Sequence, residues 1–237
     1  MAWQAKHLHL VNELNKNKNS RQAEILQRFF KTKKGEYGQG DLFLGIKVPL
    51  QRKIARKYSN LSLFNLQKLF NSKIHEHRLC ALLILTDQYK KNPDKRKFIN
   101  FYLKNSKKVN NWDLVDLSAP KILGDYLLDK DKKILYKYAK SDNLWQKRIA
   151  IISTYTFIIN NELEDTIRIS KILLNDDHDL IHKAVGWMLR ELGKKNQSKL
   201  EDFLTKYAST MPRVMLRYSI EKLSPQKRKY YLSLKNK

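Results

Sequence analysis

The segment Lys147-Arg148-Ile149-Ala150-Ile151-Ile152 is one of five apolar helical segments whose sequences can be laid over one another. Their aligned positions follow one another at intervals of 35 residues, at Arg78, Asp113, Arg148, Lys183 and Tyr218. Polar turns and a second, often basic, helical stretch lie between the segments. A period of this length with two helices per unit is typical of helical solenoids of the HEAT or armadillo kind. A non-repeating helical bundle is the alternative.

The rest of the chain also shows a helical pattern. Apolar residues recur at helical spacing, and we find no sustained alternation of the kind that is typical of strands. Glycine and proline are scarce, at 7 and 5 of 237 residues, and three of the glycines cluster in residues 35–40, which we expect to form a loop. The sequence therefore predicts an all-α fold. We expect a HEAT-like helical-repeat solenoid with a concave basic face, built as a single domain over residues 1–237.

The chain is strongly basic. It contains 48 Lys and Arg residues against 23 Asp and Glu residues, so its formal net charge is 48 − 23 = +25. The two obvious polyanionic partners for such a charge are nucleic acid and an anionic membrane surface. No apolar run approaches the length of a membrane span, and the N-terminus lacks the apolar block of a signal peptide. We therefore expect a soluble, cytoplasmic protein that binds nucleic acid.

Three features that often belong to reactive sites are interpreted here as structural. Cys80 is the only cysteine and lies in an apolar helical run, which indicates a core residue in a reducing compartment rather than a nucleophile. His178 and His182 lie four residues apart without further candidate ligands, so we expect no metal and interpret them as part of a loop leading into a helix. The glycine-rich stretch 35–40 lacks the context of a nucleotide-binding fingerprint, although its amides could face a phosphate.

Four side chains are expected on one surface of the solenoid. Equivalent helices stack side by side, so equivalent positions line one face. With the aligned positions set to zero, Trp112 falls at −1, Asp116 at +3, Arg148 at 0 and Trp187 at +4. At about 100° per residue these positions span an arc of roughly 140°. The spacing therefore predicts an acid, an arginine and two tryptophans on a shared face.

Each of these residues also has an ordinary structural interpretation. Asp116 and its neighbour Asp113 would serve in helix capping or ion pairing. Trp112 and Trp187 would belong to the core, as aromatic residues at helical spacing usually do, or form a cage that binds a cation such as an N-alkylated purine. Gly186, just before Trp187, would let a ring or a backbone segment approach closely.

Arg148 has two interpretations of the same kind. It borders the apolar face Ile149-Ala150-Ile151-Ile152. A solvated or snorkelling cation in that position needs no ligand. A guanidinium in that position would also serve as a phosphate clamp.

From about Glu24 to Tyr231 the chain resembles the AlkD-type DNA alkylation repair proteins, which are built of HEAT-like repeats. Four motifs in matching order and spacing carry the resemblance. They are Gly35-Glu36-Tyr37-Gly38 with Phe43-Leu44-Gly45-Ile46-Lys47-Val48-Pro49, Trp112-Asp113-Leu114-Val115-Asp116, Asp142-Asn143-Leu144-Trp145-Gln146-Lys147-Arg148, and Lys183-Ala184-Val185-Gly186-Trp187-Met188-Leu189-Arg190-Glu191.

The resemblance implies a monofunctional DNA glycosylase that excises cationic bases such as N3-methyladenine and N7-methylguanine from duplex DNA. It implies that Asp116 is the catalytic aspartate, that Trp112 and Trp187 face the lesion, and that Arg148 positions the DNA. Arg190, in the last motif, is a further candidate for DNA binding. The base would stay largely stacked, and neither a metal nor a small-molecule cofactor would be needed. We expect a monomer associated with the nucleoid.

Two other functions fit the same helical framework. A noncatalytic HEAT-repeat module that binds distorted or branched DNA would need the basic surface but not Asp116. A protein-interaction scaffold would need neither.

Overall fold

The computed structural model describes residues 6–234, and these are almost entirely helical or in connecting turns. The first helices are α1 (Lys6–Lys16), α2 (Ser20–Phe29), α3 (Val48–Lys57), α4 (Leu63–Phe70), α5 (His75–Lys91), α6 (Arg96–Lys104) and α7 (Trp112–Ala119). They are followed by α8 (Asp125–Leu127), α9 (Lys133–Ala139), α10 (Leu144–Ile159), α11 (Glu164–Ile172), α12 (Asp179–Lys195), α13 (Gln197–Tyr207), α14 (Arg213–Ser219) and α15 (Pro225–Ser233). A 3-10 turn at Ser106–Lys108 and a π-helical turn at Pro120–Gly124 complete the helical structure.

Extended structure within residues 6–234 is confined to an isolated parallel bridge between Leu42 and Ile74. The all-α prediction is therefore confirmed for the part of the chain that the structure describes. Among the same residues, no helix combines the length and the apolar character that crossing a membrane requires.

The chain divides into two compact units, and the boundary falls between Ser118 and Ala119. The first unit is built around α5, which packs against α3 and α4, while α1 packs against α3 and α4. The second unit is built from the helices that follow residue 118. The single domain over residues 1–237 and the concave basic face stay predictions.

The second unit repeats a pair of helices. One helix of each pair is α10, α12 or α14, and these three helices contain the aligned positions Arg148, Lys183 and Tyr218. Helix α12 packs against α10 on one side and against α14 on the other, while α11 and α13 pack against α12. The helices that contain the aligned positions are thus neighbours in this unit, as the 35-residue spacing predicts.

Gly186 permits a close approach between α12 and α14. A Cβ atom at this position would lie 2.6 Å from the carbonyl oxygen of Met215 and 2.5 Å from Cβ of Tyr218. Interiors pack too densely to absorb such a clash without moving the helices apart. The expected approach of a backbone segment at this glycine is confirmed, and the segment is α14.

Gly186→Ala is expected to lower the free energy of unfolding by about 1–3 kcal/mol, the usual effect of overpacking. Gly193→Ala in the same helix is the matched control, because the added methyl group there would meet mainly the flexible end of Leu200, with Cδ2 at 2.4 Å. Thermal or urea unfolding of both variants measures the difference. Equal stability of Gly186→Ala and the wild type would contradict the assigned contact.

Cys80 lies in the core of the first unit, as its apolar surroundings predict. The residue is 0% exposed, and its Sγ lies 3.8 Å from the carbonyl oxygen of Gln51. Burial raises the pKa of the thiol well above its ordinary value. The thiol is therefore neither accessible nor ionised at neutral pH, as expected of a structural cysteine.

Candidate functional site

Trp112 and Asp116 lie on the short helix α7 in the first unit. They are four residues apart, so their side chains lie on the same face of the helix. Both residues are partly exposed. Helix α7 therefore presents an indole ring and a carboxylate side by side.

The Trp112 ring is held by a stack of aromatic rings. It stacks on Phe30 with centroids 5.3 Å apart and planes 21° apart, and Phe30 stacks on Phe43 at 5.0 Å and 15°. Phe43 in turn stacks on His75 at 4.6 Å and 21°. Phe29, which is 60% exposed, lies edge-on to Trp112 at 6.0 Å. Trp112 thus packs on a small apolar cluster and still keeps part of its surface exposed.

His75 ends this stack and lies between two carboxylates. Its Nε2 is 2.8 Å from Oδ2 of Asp113, and its Nδ1 is 3.6 Å from Oδ2 of Asp41. Arg78 also contacts Asp41, with Nη2 at 2.6 Å from the same oxygen. Burial lowers the pKa of His75, but the carboxylates of Asp113 and Asp41 outweigh it and raise the pKa to about 9. His75 is therefore an imidazolium at neutral pH.

The ion-pairing role that was expected as one alternative for Asp113 is confirmed by this contact. The Oδ1 of Asp113 also accepts a hydrogen bond of 2.8 Å from the amide of Leu114. Asp113 thus joins the first turn of α7 to the beginning of α5.

A buried carboxylate fixes the loop that carries Phe43. Glu76 is 0% exposed, and its Oε1 accepts hydrogen bonds from the amides of Leu44 at 3.1 Å, Gly45 at 2.9 Å and Ile46 at 3.2 Å. Gly45 has a φ of +82°, and a Cβ atom there would lie 2.1 Å from the carbonyl oxygen of Asn19. The loop that carries Phe43 therefore needs a glycine at position 45. Glu76 in α5 supplies the acceptor for its amides.

The glycine-rich stretch 35–40 is a loop, as predicted. Several of its amides already have acceptors within the loop. The amide of Gly35 donates to Oε1 of Gln39 at 2.8 Å, and the amide of Gly38 donates to the carbonyl oxygen of Lys31 at 3.0 Å. These hydrogen bonds give the loop a structural role and do not support the expectation that its amides face a phosphate.

Arg148 lies in the second unit, on α10, and is 5% exposed. Its Nη1 donates a hydrogen bond of 2.6 Å to the carbonyl oxygen of Leu180, at the start of α12. Of the two interpretations offered for this residue, a fully solvated cation does not fit this position. The phosphate-clamp role stays a prediction.

Trp187 and Arg190 lie on α12 in the second unit. Trp187 is partly exposed, and its ring lies 6.2 Å from that of Tyr155 at an interplanar angle of 37°. Arg190 forms ion pairs with Glu191 and Glu221. The lesion-facing role of Trp187 and the DNA-binding role of Arg190 stay predictions, as does the face that Trp112 and Asp116 would share with residues of the second unit.

His178 and His182 form hydrogen bonds at the start of α12. His178 caps this helix, since its Nδ1 accepts a hydrogen bond of 3.1 Å from the amide of Leu180. His182 contacts the carbonyl oxygen of Asp176 through Nε2. The interpretation as a loop leading into a helix is confirmed for His178, whereas His182 lies within α12 itself. Across residues 6–234, no three His, Cys, Asp or Glu side chains lie together in a way that would hold a metal ion.

His75, Asp41 and Glu76 were not among the predicted site residues. The available signal was the run His75-Glu76-His77-Arg78, whose members are all buried at the start of an otherwise apolar helix. Charged side chains in such a position need partners, because an unpaired buried charge is strongly unfavourable. The partners themselves lie too far away along the chain to be seen by inspection of the helix.

Comparison with known proteins places this chain in a family. Residues 10–223 match the family described as DNA alkylation repair enzyme, and the chain therefore belongs to it. A solved structure of a protein from Enterococcus faecalis, described as a predicted DNA alkylation repair enzyme, has a TM-score of 0.70 and 16% sequence identity. The match covers 88% of this chain and 97% of that protein, and at this identity it shows a common fold. No curated protein matches the chain.

The resemblance to AlkD-type DNA alkylation repair proteins is thereby confirmed, and with it a role in the repair of alkylated DNA.

Proposed function

We propose that this protein is a monofunctional DNA glycosylase that hydrolyses the N-glycosidic bond of cationic N-alkylated purines in duplex DNA, such as N3-methyladenine and N7-methylguanine. The observation that carries the proposal is the pairing of Asp116 with Trp112 on one face of α7. The aromatic stack beneath Trp112 supports it, because it fixes the ring beside the carboxylate before any substrate arrives.

Hydrolysis of the N-glycosidic bond is favoured by an anionic group beside the sugar. N-alkylation leaves a positive charge on the purine, so the base is already a good leaving group. Breaking the glycosidic bond develops oxocarbenium character on the deoxyribose. The carboxylate of Asp116 stabilises that charge electrostatically and orients the water that attacks the sugar.

Tryptophan rings suit the other requirement, which is recognition of a cation. The electron-rich face of an indole attracts a cationic base and contacts the CH groups of the sugar. Because Trp112 is already stacked on Phe30, little side-chain freedom is lost when it binds. Trp187 is proposed as the second ring at the lesion. The base would remain largely stacked in the duplex instead of entering a closed pocket.

Arg148 and Arg190 are proposed as phosphate contacts. The hydrogen bond from Arg148 to the carbonyl oxygen of Leu180 fixes the orientation of the guanidinium. The ion pair of Arg190 with the exposed Glu221 lies at the surface, where such pairs are weak, so a DNA phosphate can replace Glu221 as the partner of this guanidinium.

The proposed reaction needs no Lewis acid and no small-molecule cofactor, since the substrate already carries the charge that makes the base leave. We propose that the protein acts as a monomer on nucleoid DNA in the cytoplasm.

The decisive experiment uses duplex DNA treated with a methylating agent. The 237-residue protein is incubated with this duplex, and the supernatant is analysed for free methylpurines by chromatography. We expect release of N7-methylguanine and N3-methyladenine above the rate of the protein-free control. Binding of the duplex without release of any base would favour the noncatalytic module that recognises distorted or branched DNA.

DNA affinity is expected to fall steeply with salt. The net charge of +25 and the many exposed lysines predict that binding releases several counterions. The plot of log affinity against log salt concentration should therefore have a slope of several units, about −0.9 for each phosphate neutralised. Fluorescence anisotropy of a labelled duplex at four or five salt concentrations measures it. A flat response would favour a protein-interaction scaffold.

A further inference from the structure

We propose that His75 is a positioning residue of the site, which as a cation held between Asp41 and Asp113 fixes the first turn of α7 and, through the ring stack, the orientation of Trp112. The inference for catalysis rests on the proposed glycosylase function. The inference about the position of Trp112 rests on the geometry of the first unit alone.

Charged and aromatic side chains from several elements surround His75. From α7, Asp113 contacts Nε2 at 2.8 Å, and from the loop before α3, Asp41 approaches Nδ1 at 3.6 Å. Arg78, on the same helix, is a like charge and is itself paired with Asp41 at 2.6 Å. Phe43 and Phe30 lie against the imidazole with centroids 4.6 Å and 5.1 Å away. The ring is 2% exposed and is therefore enclosed by these groups.

Each of the two carboxylates that face His75 has its own cationic partner only while His75 is protonated. Asp113 pairs with the imidazolium and Asp41 pairs with Arg78, while the buried carboxylate of Glu76 accepts hydrogen bonds from backbone amides. Loss of the proton would leave Asp113 without its ion-pair partner, which is unfavourable in a largely buried position. The imidazolium is thus the expected working state of the site.

Two contacts that hold Trp112 in place depend on the positive charge of His75. The ion pair with Asp113 holds the residue directly after Trp112, at the start of α7. The imidazolium also lies against the face of Phe43, which attracts a cation, and Phe43 supports Phe30 and so Trp112. A neutral imidazole weakens both contacts at once. The Trp112 indole itself is not changed chemically when His75 loses its proton.

The expected pH dependence follows from the direction of the shift. The pKa of His75 is raised from an ordinary value of 6.5 to about 9 in the folded protein. The stabilisation is therefore fully present below about pH 6.5 and is lost as the pH rises through about 9. The position of Trp112 should change over the same alkaline range.

The test is an NMR titration of the 237-residue protein without DNA. The indole N–H resonance of Trp112 and the ring carbons of His75 are followed between pH 6 and 10. We expect both to titrate with a common midpoint near 9 in the wild type, and the Trp112 response to vanish in His75→Gln. His77→Gln is the matched control, since burial lowers the pKa of His77 to about 4 and keeps this neighbouring ring neutral.

Single-turnover base release from methylated duplex DNA adds the catalytic readout. We expect His75→Gln to slow release at pH 7 by about tenfold or more, as misplaced reacting groups do, with DNA affinity within about twofold of the wild type. His77→Gln should follow the wild-type pH profile, which declines as His75 loses its proton.

The experiments test the role of His75 and the glycosylase proposal separately. A His75 that titrates near its ordinary value, or a Trp112 resonance that does not respond to that titration, would overturn the inference. So would a folded His75→Gln that releases base at the wild-type rate and with the wild-type pH profile. If the wild type releases no base, the glycosylase proposal fails, while the NMR titration still decides the role of His75. If His75→Gln does not fold, the wild-type titration decides alone.

Discussion

Replacing Asp116 by Asn is expected to slow release of N7-methylguanine by at least about tenfold, which corresponds to about 1.4 kcal/mol of transition-state stabilisation. The substitution keeps the size and most of the hydrogen-bonding shape of the side chain but removes its charge. Electrostatic groups of this type often contribute about 2.7–4 kcal/mol. The smaller loss is expected here because a cationic base leaves readily without help. Single-turnover release from a methylated duplex measures it.

The affinity of Asp116→Asn for undamaged DNA should stay level or rise slightly, because a negative charge near the phosphates is removed. Asp129→Asn is the matched control, since it removes a surface carboxylate that pairs with Lys130. The neighbouring Asp113→Asn should lower stability and also slow base release, because it removes the ion pair with the buried His75 that positions Trp112. A folded Asp116→Asn that cleaves as fast as the wild type would refute the assignment of the catalytic carboxylate.

Replacing Glu76 by Ala is expected to lower the free energy of unfolding by about 3–5 kcal/mol. The carboxylate is the acceptor for three consecutive amides, those of Leu44, Gly45 and Ile46. Each buried donor that loses its acceptor costs about 1–3 kcal/mol, and the vacated space adds to the loss. Urea unfolding followed by circular dichroism measures the change.

Glu164→Ala is the control for this substitution. Glu164 lies at the surface, where it pairs with Lys199, and surface substitutions of this kind usually change stability by less than about 0.5 kcal/mol. If Glu76→Ala and Glu164→Ala unfold at the same urea concentration, Glu76 does not hold the loop in the way its contacts indicate.

The sequence was sufficient to predict the elements that depend on local pattern. Apolar residues at helical spacing and the scarcity of glycine and proline predicted helices, and helices form from interactions between residues three and four positions apart. The 35-residue spacing of Arg148, Lys183 and Tyr218 predicted which helices of the second unit are neighbours. Gly186 was recognised as a place of close approach because a missing side chain leaves room for a partner.

The supporting structure of Trp112 was not predictable in this way. Trp112, Phe30, Phe43 and His75 form one stack although they are separated by up to about 80 positions along the chain, and nothing in a local pattern joins them. The same holds for Glu76, whose acceptor role depends on amides about 30 residues earlier. Such pairings follow from tertiary packing, in which the partner of a buried charge is decided by the fold.

Arg148 illustrates a different limit. Its place at the edge of an apolar face was evident, but the sequence left open whether it is a solvated or snorkelling cation or a phosphate clamp, and it did not predict a fixed protein acceptor. The carbonyl oxygen of Leu180 lies in the next repeat, and only the stacking of α12 on α10 brings it within reach.

The burial of Cys80 makes the chain a convenient one for labelling. As the single cysteine has an inaccessible thiol, a maleimide reagent would find no reactive partner in the native protein. A cysteine introduced at an exposed lysine, such as Lys53 in the first unit or Lys171 in the second, would then be the sole attachment point for a dye or spin label. The double variant would carry one label in each unit, and the distance between the labels could be followed while DNA is added.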